Sequence, residues 1–205
     1  MVRWDLLNRI AAQIEARWYL EIGVQAGHTF SRVSVENKVG VDPDRRSAAT
    51  VHAGSDDYFD RLESERSDVR FDLVFVDGLH HRDQVVRDVF NAQRFLTPGG
   101  VIVLHDCDPP SERAGGREMC SGVWCGDVWR GWIDLRRTLS REMFVVDTDL
   151  GCGVILEGSP DPLPGAVDPE WADFAADRAG WLNLVPVEAA IERIDRLGPV
   201  GGSDG

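Results

Sequence analysis

The sequence predicts an α/β domain built on an open, mostly parallel sheet. Two short apolar runs, Phe71–Val76 and Val101–Leu104, indicate strands that are buried on both faces. A helical pattern between them completes a right-handed strand–helix–strand crossover. Each run ends in a polar cluster, at 77–81 and at 105–108. Because parallel strands end at the same edge of a sheet, both clusters should face one crevice, which is where such sheets bind ligands.

Composition limits the class of protein. A chain of 205 residues, 43% hydrophobic and 28% charged, suits a single domain with a full core. We expect this domain to span residues 1–197 and the tail at 198–205 to be disordered. The formal net charge of −13 argues against nucleic-acid binding, which needs a basic face. Charges interrupt the first twenty residues, so we expect no signal peptide, no membrane span and a cytoplasmic location.

The N-terminal third predicts a helix, a strand and a glycine-containing turn. Apolar residues recur at helical spacing over residues 4–16, which indicates an amphipathic helix on the sheet, with a partner-binding helix as the alternative. A strand from Trp18 leads into Gly23 and Gly27, and a helix should start after them. The glycines would allow a ligand close to the backbone, and the helix would offer free N–H groups.

A second strand, Val39–Asp42, ends in an acid about twenty residues after the first turn, as in dinucleotide folds. The carboxylate of Asp42 could accept both hydrogen bonds from a ribose diol. The alternative is an ordinary turn or cap residue before Pro43. A short third strand at Thr50–Ala53 would place Ser55 beside the nucleoside, at the start of a helix that runs to about Arg66.

The crossover helix should run from His81 to Phe95 and turn Val85, Val89 and Phe90 inward. Pro98–Gly100 then turns the chain into the next strand.

Residues 107–123 contain turn formers and few apolar residues, which indicates a long loop beside the crevice. Loops of this length are often lids. A helix from Trp124 to about Leu139 should follow. Its three tryptophans could stack on a sugar or pack in the core. They are Trp124, Trp129 and Trp132.

The C-terminal part predicts a hairpin of two strands, Met143–Val146 and Gly153–Leu156, which puts one antiparallel strand in the sheet. A proline-rich arm, Ser159–Pro169, precedes helices near Glu170–Arg178 and Val187–Leu197. The N-terminal helix and this arm could exchange contacts in a homodimer. The four cysteines form no CxxC pair, so we expect free thiols, although Cys120 and Cys125 could meet in a loop.

Several motifs together resemble a known family. The turn Glu21–Thr29 with Asp42 resembles the glycine motif and ribose acid of class I S-adenosylmethionine-dependent methyltransferases. The segments DGLHHRDQVVRD, LTPGGVIVLHDCDP, GDVWRGWIDLR and DTDLGCGVI are similar to the small metal-dependent O-methyltransferases related to macrolide-sugar and catechol enzymes. The resemblance covers about Trp18 to Leu156. It implies a Rossmann-like sheet of seven mostly parallel strands with an antiparallel C-terminal strand and helices on both faces.

The resemblance also implies the site residues. S-adenosylmethionine would be bound by residues at the ends of the first four strands, namely Glu21, Gly23, Val24, Gly27, Thr29, Asp42, Ser55 and Asp77. Mg²⁺ would be bound by Asp77 and Asp106, because carboxylates and water suit this hard cation. Cys107 stands where the catechol enzymes place a third ligand, so either His105 or Asp108 could take that role.

His80 occupies the position at which the sugar enzymes are thought to place a histidine base. A sugar hydroxyl is a poor nucleophile at neutral pH, so a base and a Lewis acid would both assist methyl transfer. The resemblance therefore implies a Mg²⁺-dependent O-methyltransferase that acts on a carbohydrate or glycosylated metabolite, with an oligosaccharide among the candidates. The alternatives are a catechol or phenolic O-methyltransferase and a non-catalytic nucleotide-binding protein.

Overall fold

The computed structural model describes residues 1–165 and 168–201, in which seven strands form one sheet in the order β2-β1-β3-β4-β6-β5-β7. Strand β6 is antiparallel to both of its neighbours, and all other neighbouring strands are parallel. The predicted mostly parallel sheet with an antiparallel strand is therefore confirmed. The strands are β1 (Trp18–Ile22), β2 (Asn37–Val41), β3 (Phe71–Val76), β4 (Leu96–Leu104), β5 (Glu142–Val146), β6 (Cys152–Leu156) and β7 (Leu184–Val185).

Helices cover both faces of the sheet, because successive side chains of a buried strand point to opposite sides. In β3, Leu73 and Phe75 pack with the first and last helices, whereas Val74 and Val76 pack with the central helices. None of the described helices is long and apolar enough to cross a membrane. The helices are α1 (Arg3–Gln13), α2 (Ser55–Ser64), α3 (Arg82–Arg94), α4 (Val128–Thr138), α5 (Trp171–Ala176), α6 (Arg178–Leu182) and α7 (Val187–Ile194).

The seventh strand is not the one that the sequence predicts. Residues 50–53 form only an isolated bridge, in which Val51 pairs with Val41. The seventh strand is β7, which pairs in parallel with β5 at the edge of the sheet. Its two residues, between α6 and α7, are too few for a hydrophobic period to show in the sequence.

The helix expected directly after Gly27 is also absent, and residues 28–32 form turns instead. Two helix-like hydrogen bonds occur, from Ser31 N–H to the Gly27 carbonyl and from Val33 N–H to the Thr29 carbonyl. They do not continue, because the segment is rich in serine and valine and must reach β2 within a few residues.

Three further details differ from the prediction: the orientation of one side chain on α3, the place of Pro98–Gly100 and the start of the fourth helix. Phe90 is 41% exposed on α3, whereas Val85 and Val89 are buried as predicted. Pro98–Gly100 lies inside β4 rather than in a turn before it, next to a shift in the β3–β4 register. The fourth helix begins at Val128, so Trp124 belongs to the preceding loop.

The remaining predicted segments are placed as follows. All four cysteines are free thiols. Helix α1 packs on the sheet, and Arg9 pairs with Asp195 just after α7.

In the expected disordered tail, Val200 N–H donates a hydrogen bond to the Ile14 carbonyl, and residues 202–205 lie outside the described residues. Two residues of the arm, 166 and 167, also lie outside them. The homodimer stays a prediction.

Gly23 gives a test of how the turn after β1 is held. Its φ is +87°, and a Cβ there would lie 2.0 Å from the Asp77 carbonyl oxygen. We expect Gly23→Ala to lower the free energy of unfolding by about 3 kcal/mol or more, since backbone strain and a backbone clash add together. Urea denaturation would measure the change.

Gly122→Ala is the matched control. Gly122 has a similar φ of +90°, but nothing lies within 4 Å of the Cβ position. Only the left-handed backbone penalty of about 1 kcal/mol should appear there. Equal losses in the two variants would show that the contact with Asp77 adds nothing.

Candidate functional site

The ends of β1, β3 and β4 meet at one edge of the sheet. In the parallel register Ile22 is level with Val76, and Val76 is level with Leu104. The residues that follow these positions are therefore neighbours, as the sequence predicts. The contact between Gly23 and the Asp77 backbone brings the turn after β1 directly against the end of β3.

A cavity of about 600 Å³ opens at this edge. Its lining includes four of the predicted cofactor residues, Gly23, Asp42, Ser55 and Asp77. The other four, which lie in or next to β1, are not part of the lining. They are Glu21, Val24, Gly27 and Thr29.

Asp42 holds the turn after β1 in place. One carboxylate oxygen accepts hydrogen bonds from the N–H groups of Val24 (3.1 Å) and Gln25 (2.9 Å), and the other accepts from Asp44 N–H (2.8 Å). A carboxylate has about four acceptor positions, so one remains for a ligand hydroxyl. Asp42 therefore has the turn role and keeps the capacity for one ribose hydroxyl, whereas the sequence predicts that it could accept from both.

Glu21 lies beneath the site and is almost completely buried. The Tyr19 hydroxyl donates a hydrogen bond to it at 2.5 Å. Burial raises the pKa of Glu21 to about 8, so the side chain is largely a neutral acid at pH 7.

Arg3 reaches this region from α1, which the sequence does not predict. Its Nε donates to Thr29 Oγ1 at 3.0 Å, and its Nη1 pairs with Asp149 at 2.9 Å. Asp149 lies in the β5–β6 hairpin, 146 residues away along the chain. No local pattern could have indicated a contact across this separation.

Asp77, His80 and Asp106 form a group that could hold a metal ion. Each offers one ligand atom, and the three atoms lie within 4.8 Å of one another. His80 Nε2 is 3.4 Å from Asp77 Oδ1, and His80 Nδ1 is 3.3 Å from Asp106 Oδ2. Asp106 Oδ1 is buried and has no hydrogen-bond partner among the described residues. An orphaned carboxylate oxygen beside a second carboxylate fits a divalent cation.

Neither predicted alternative for the third ligand joins this group. His105 Nδ1 lies 3.3 Å from Asp77 Oδ1 and 3.2 Å from Asp106 Oδ2. Burial lowers the pKa of His105, but the surrounding carboxylates outweigh it and raise the pKa far above its usual value. Asp108 is held instead by the Arg178 guanidinium.

The histidines in turn affect the carboxylates. Burial raises the pKa of Asp77, but His105 and His80 outweigh it and lower the pKa to about 2. Burial likewise lowers the pKa of His80, but the Asp77 and Asp106 carboxylates outweigh this effect. The pKa of His80 is therefore raised. Asp77 is therefore a carboxylate at every physiological pH, as a cation ligand must be.

The end of the long loop packs directly on His80. The Trp124 ring stacks on the imidazole with centroids 5.1 Å apart, and the Trp124 carbonyl is 3.3 Å from Nδ1. Gly126 passes so close that a Cβ would lie 1.8 Å from the His80 carbonyl oxygen. Asp127 N–H donates to that same oxygen at 3.2 Å. Gly126 is the only residue here whose type could have indicated this contact from the sequence. A glycine by itself indicates a tight turn, and the residue that Gly126 contacts, His80, lies in a different segment.

The other two tryptophans are core residues, since Trp129 and Trp132 are at most 1% exposed. Core packing was the predicted reading for any one of the three.

The comparisons with known proteins agree with this geometry. A model of a family described as a methyltransferase domain matches residues 20–107. The fold is similar to that of the O-methyltransferase TomG from Streptomyces achromogenes, which is involved in tomaymycin synthesis and was solved with SAM. Identity is 18% over 76% of this chain and 80% of that chain, with a TM-score of 0.58.

Two further solved structures share the fold. An O-methyltransferase from Bacillus cereus, in complex with SAH, is 16% identical over 75% of this chain and 79% of its own, with a TM-score of 0.55. The SAH-bound methyltransferase PaMTH1 from Podospora anserina is 14% identical over 77% and 78%, also at 0.55. No curated protein sequence matches this chain. Residues 20–107 are thus similar to a methyltransferase domain, and the whole sheet shares the fold of these O-methyltransferase structures.

Proposed function

We propose that this protein is an S-adenosylmethionine-dependent O-methyltransferase with a divalent-cation site, for which Mg²⁺ is the expected ion. One observation carries the proposal. Asp77 lines the 600 Å³ cavity and also belongs to the group with His80 and Asp106. A donor cavity and an acid–base centre that share one residue can bring a methyl donor and a hydroxyl acceptor together, which is the main requirement for transfer between them.

The cavity suits the donor in size and in charge. A volume of about 600 Å³ lies within the range of small-molecule and cofactor sites. Asp42, Asp44, Asp56 and Asp57 line it in addition to Asp77. A sulfonium is cationic, so a lining rich in carboxylates stabilises it. Asp42 has the acceptor capacity for a ribose hydroxyl, and Gly23 also lines the cavity.

In the acid–base centre, Asp77 and Asp106 would hold the cation. A bound divalent cation supplies Lewis acidity, which lowers the pKa of a bound hydroxyl. His80 lies between the two carboxylates and would accept the proton of the acceptor hydroxyl. His105 balances the negative charge of the carboxylates from inside the fold.

The proposed acceptor is a hydroxyl of a carbohydrate or glycosylated metabolite. Trp124 supports this, because its half-buried ring lies beside His80, and aromatic rings commonly contact sugar faces. The exposed side chains of Leu79 and Val123 flank this position and would also suit a catechol or phenolic ring. Purified protein with S-adenosylmethionine, Mg²⁺ or EDTA, and a panel of sugars and catechols would separate the two acceptors. No methyl transfer to any acceptor would favour a non-catalytic protein.

The donor site can be tested at Asp42. We expect Asp42→Ala to weaken binding of S-adenosylmethionine by about 1.5–3 kcal/mol, the range for hydrogen bonds to a charged group. Titration calorimetry would measure it, with a thermal melt to show that the variant is folded. Asp44→Ala is the control, because this neighbour also lines the cavity but pairs with the exposed Arg46. Unchanged affinity in folded Asp42→Ala would move the ribose site elsewhere.

The metal site can be tested with conservative changes. We expect Asp77→Asn and Asp106→Asn each to remove most Mg²⁺-dependent activity, and the double variant to be little worse, because ligands of one ion act as a unit. Asp108→Asn should keep activity, since Arg178 holds that carboxylate. Full wild-type activity in EDTA would contradict the metal site.

His80 can be tested as the base. His80→Ala should lower kcat by about 10²–10⁴-fold, the usual worth of a positioned base, with little change in affinity for the donor. His81→Ala is the matched control: it precedes α3 and contacts Trp124 edge-on, outside the group of three ligand atoms. If His81→Ala were the inactive variant and His80→Ala turned over normally, the base would be misassigned by one residue.

A further inference from the structure

Asp88 is a buried acid in the wall of the proposed donor cavity that the mechanism does not use. It lies on α3 and is 0% exposed. Its Oδ2 has no hydrogen-bond partner among the described residues. Asp88 itself does not line the cavity; it lies behind the lining residues, and this oxygen is 3.9 Å from the position of a Cβ on Gly78. A buried carboxylate oxygen without a partner is costly, so it calls for an explanation.

Asp88 controls the hydrogen bonds of two lining residues, Ser55 and Gln84. The Ser55 hydroxyl donates to Asp88 Oδ1 at 2.6 Å. Gln84 Nε2 donates to the same oxygen at 2.9 Å and to Ser55 Oγ at 3.2 Å. The Gln84 carbonyl oxygen accepts from the Arg87 guanidinium. Burial is the main cause that raises the Asp88 pKa, to about 6, so at pH 7.5 it is a carboxylate and only accepts.

These bonds fix the polarity of the Ser55 hydroxyl. A serine has one proton to donate, and here that proton is committed to Asp88. Gln84 occupies one lone pair of Oγ, so the group can offer a ligand only its remaining lone pair. A free serine hydroxyl can donate or accept a hydrogen bond, whereas the Ser55 hydroxyl can only accept one from a ligand.

The start of α2 supplies hydrogen-bond donors next to the acceptor at Ser55. Gly54 precedes the helix, and no side chain caps it. The first backbone N–H groups of a helix have no partner within the helix. The wall therefore combines an acceptor at Ser55 with backbone donors. The Watson–Crick edge of adenine has the complementary pattern, an exocyclic amine that donates and N1 that accepts. Hypoxanthine reverses both, with a carbonyl oxygen and an N1–H.

We infer that Asp88 is a positioning residue that makes the donor cavity specific for a 6-amino purine, by holding Ser55 as a hydrogen-bond acceptor. The inference rests on the proposed function, since it assigns the base of the donor to this end of the cavity. It deepens that function by naming the buried side chain that sets the recognition of the base.

The test compares two ligands that differ only in the base. S-adenosylhomocysteine and its deaminated analogue, S-inosylhomocysteine, would be titrated into the protein at pH 7.5 by calorimetry. We expect the wild type to bind the inosine analogue about tenfold or more weakly, because a site built to bond one polarity rejects the reverse. In Asp88→Ala the freed hydroxyl can also donate, so the ratio should fall about threefold or more, to the part that the backbone N–H groups opposite N1 set.

Four variants decide the outcome. Ser55→Ala should also lower the ratio, and adding Asp88→Ala to it should change the ratio no further, as expected if Asp88 acts through Ser55. Asp88→Asn should retain the ratio, because Ser55 and Gln84 both donate and orient the amide oxygen towards themselves. Asp88→Leu fills the buried space if Asp88→Ala does not fold. Asp60→Ala, on the exposed face of α2, is the control.

A purely structural role for Asp88 would weaken both ligands equally and leave their ratio unchanged, which would overturn the inference. A wild type that binds both ligands alike would overturn it too, while the proposed function stands. A wild type that binds neither ligand would overturn the proposed function and the inference together.

Discussion

The close contact between Gly23 and the Asp77 backbone is the constraint on which the arrangement of the site depends. A Cβ at residue 23 would lie 2.0 Å from the Asp77 carbonyl oxygen, so only glycine allows the turn after β1 to meet the end of β3. Asp42 fastens the same turn from the side of β2 through two backbone N–H groups. As a result, the cavity of about 600 Å³ and the acidic group adjoin, with Asp77 in both.

Charge compensation is the second requirement at the edge of the sheet where β1, β3 and β4 end. Asp77, Asp106 and Asp149 lie close together in a largely buried region, where unpaired carboxylates would be costly. His105 and Arg3 neutralise part of this charge, and Arg3 also joins α1 to the β5–β6 hairpin. Asp106 Oδ1 still lacks a partner, so the internal cations leave acceptor capacity at the place where a metal ion would be bound.

The packing of residues 124–127 on His80 joins the long loop to the acid–base centre. The stacked Trp124 ring and the Asp127 N–H fix the imidazole and the backbone of the same residue. A loop anchored in this way cannot move at its C-terminal end without disturbing His80. The lid role stays a prediction, and this anchoring limits it to the part of the loop before Trp124, where Met119 and Val123 are exposed.

The sequence by itself determined the sheet and the strand ends, because buried parallel strands have a continuous apolar pattern and the acids that follow them must share one edge. Asp42, Asp77, His80 and Asp106 were found in this way. Only the tertiary structure decided which of these groups touch, since contacts such as Arg3 with Asp149 join residues 146 apart. It also decided the parts with weak local signals: the two-residue β7, the missing helix after Gly27, and the burial of Asp88, whose partner Ser55 lies on another helix.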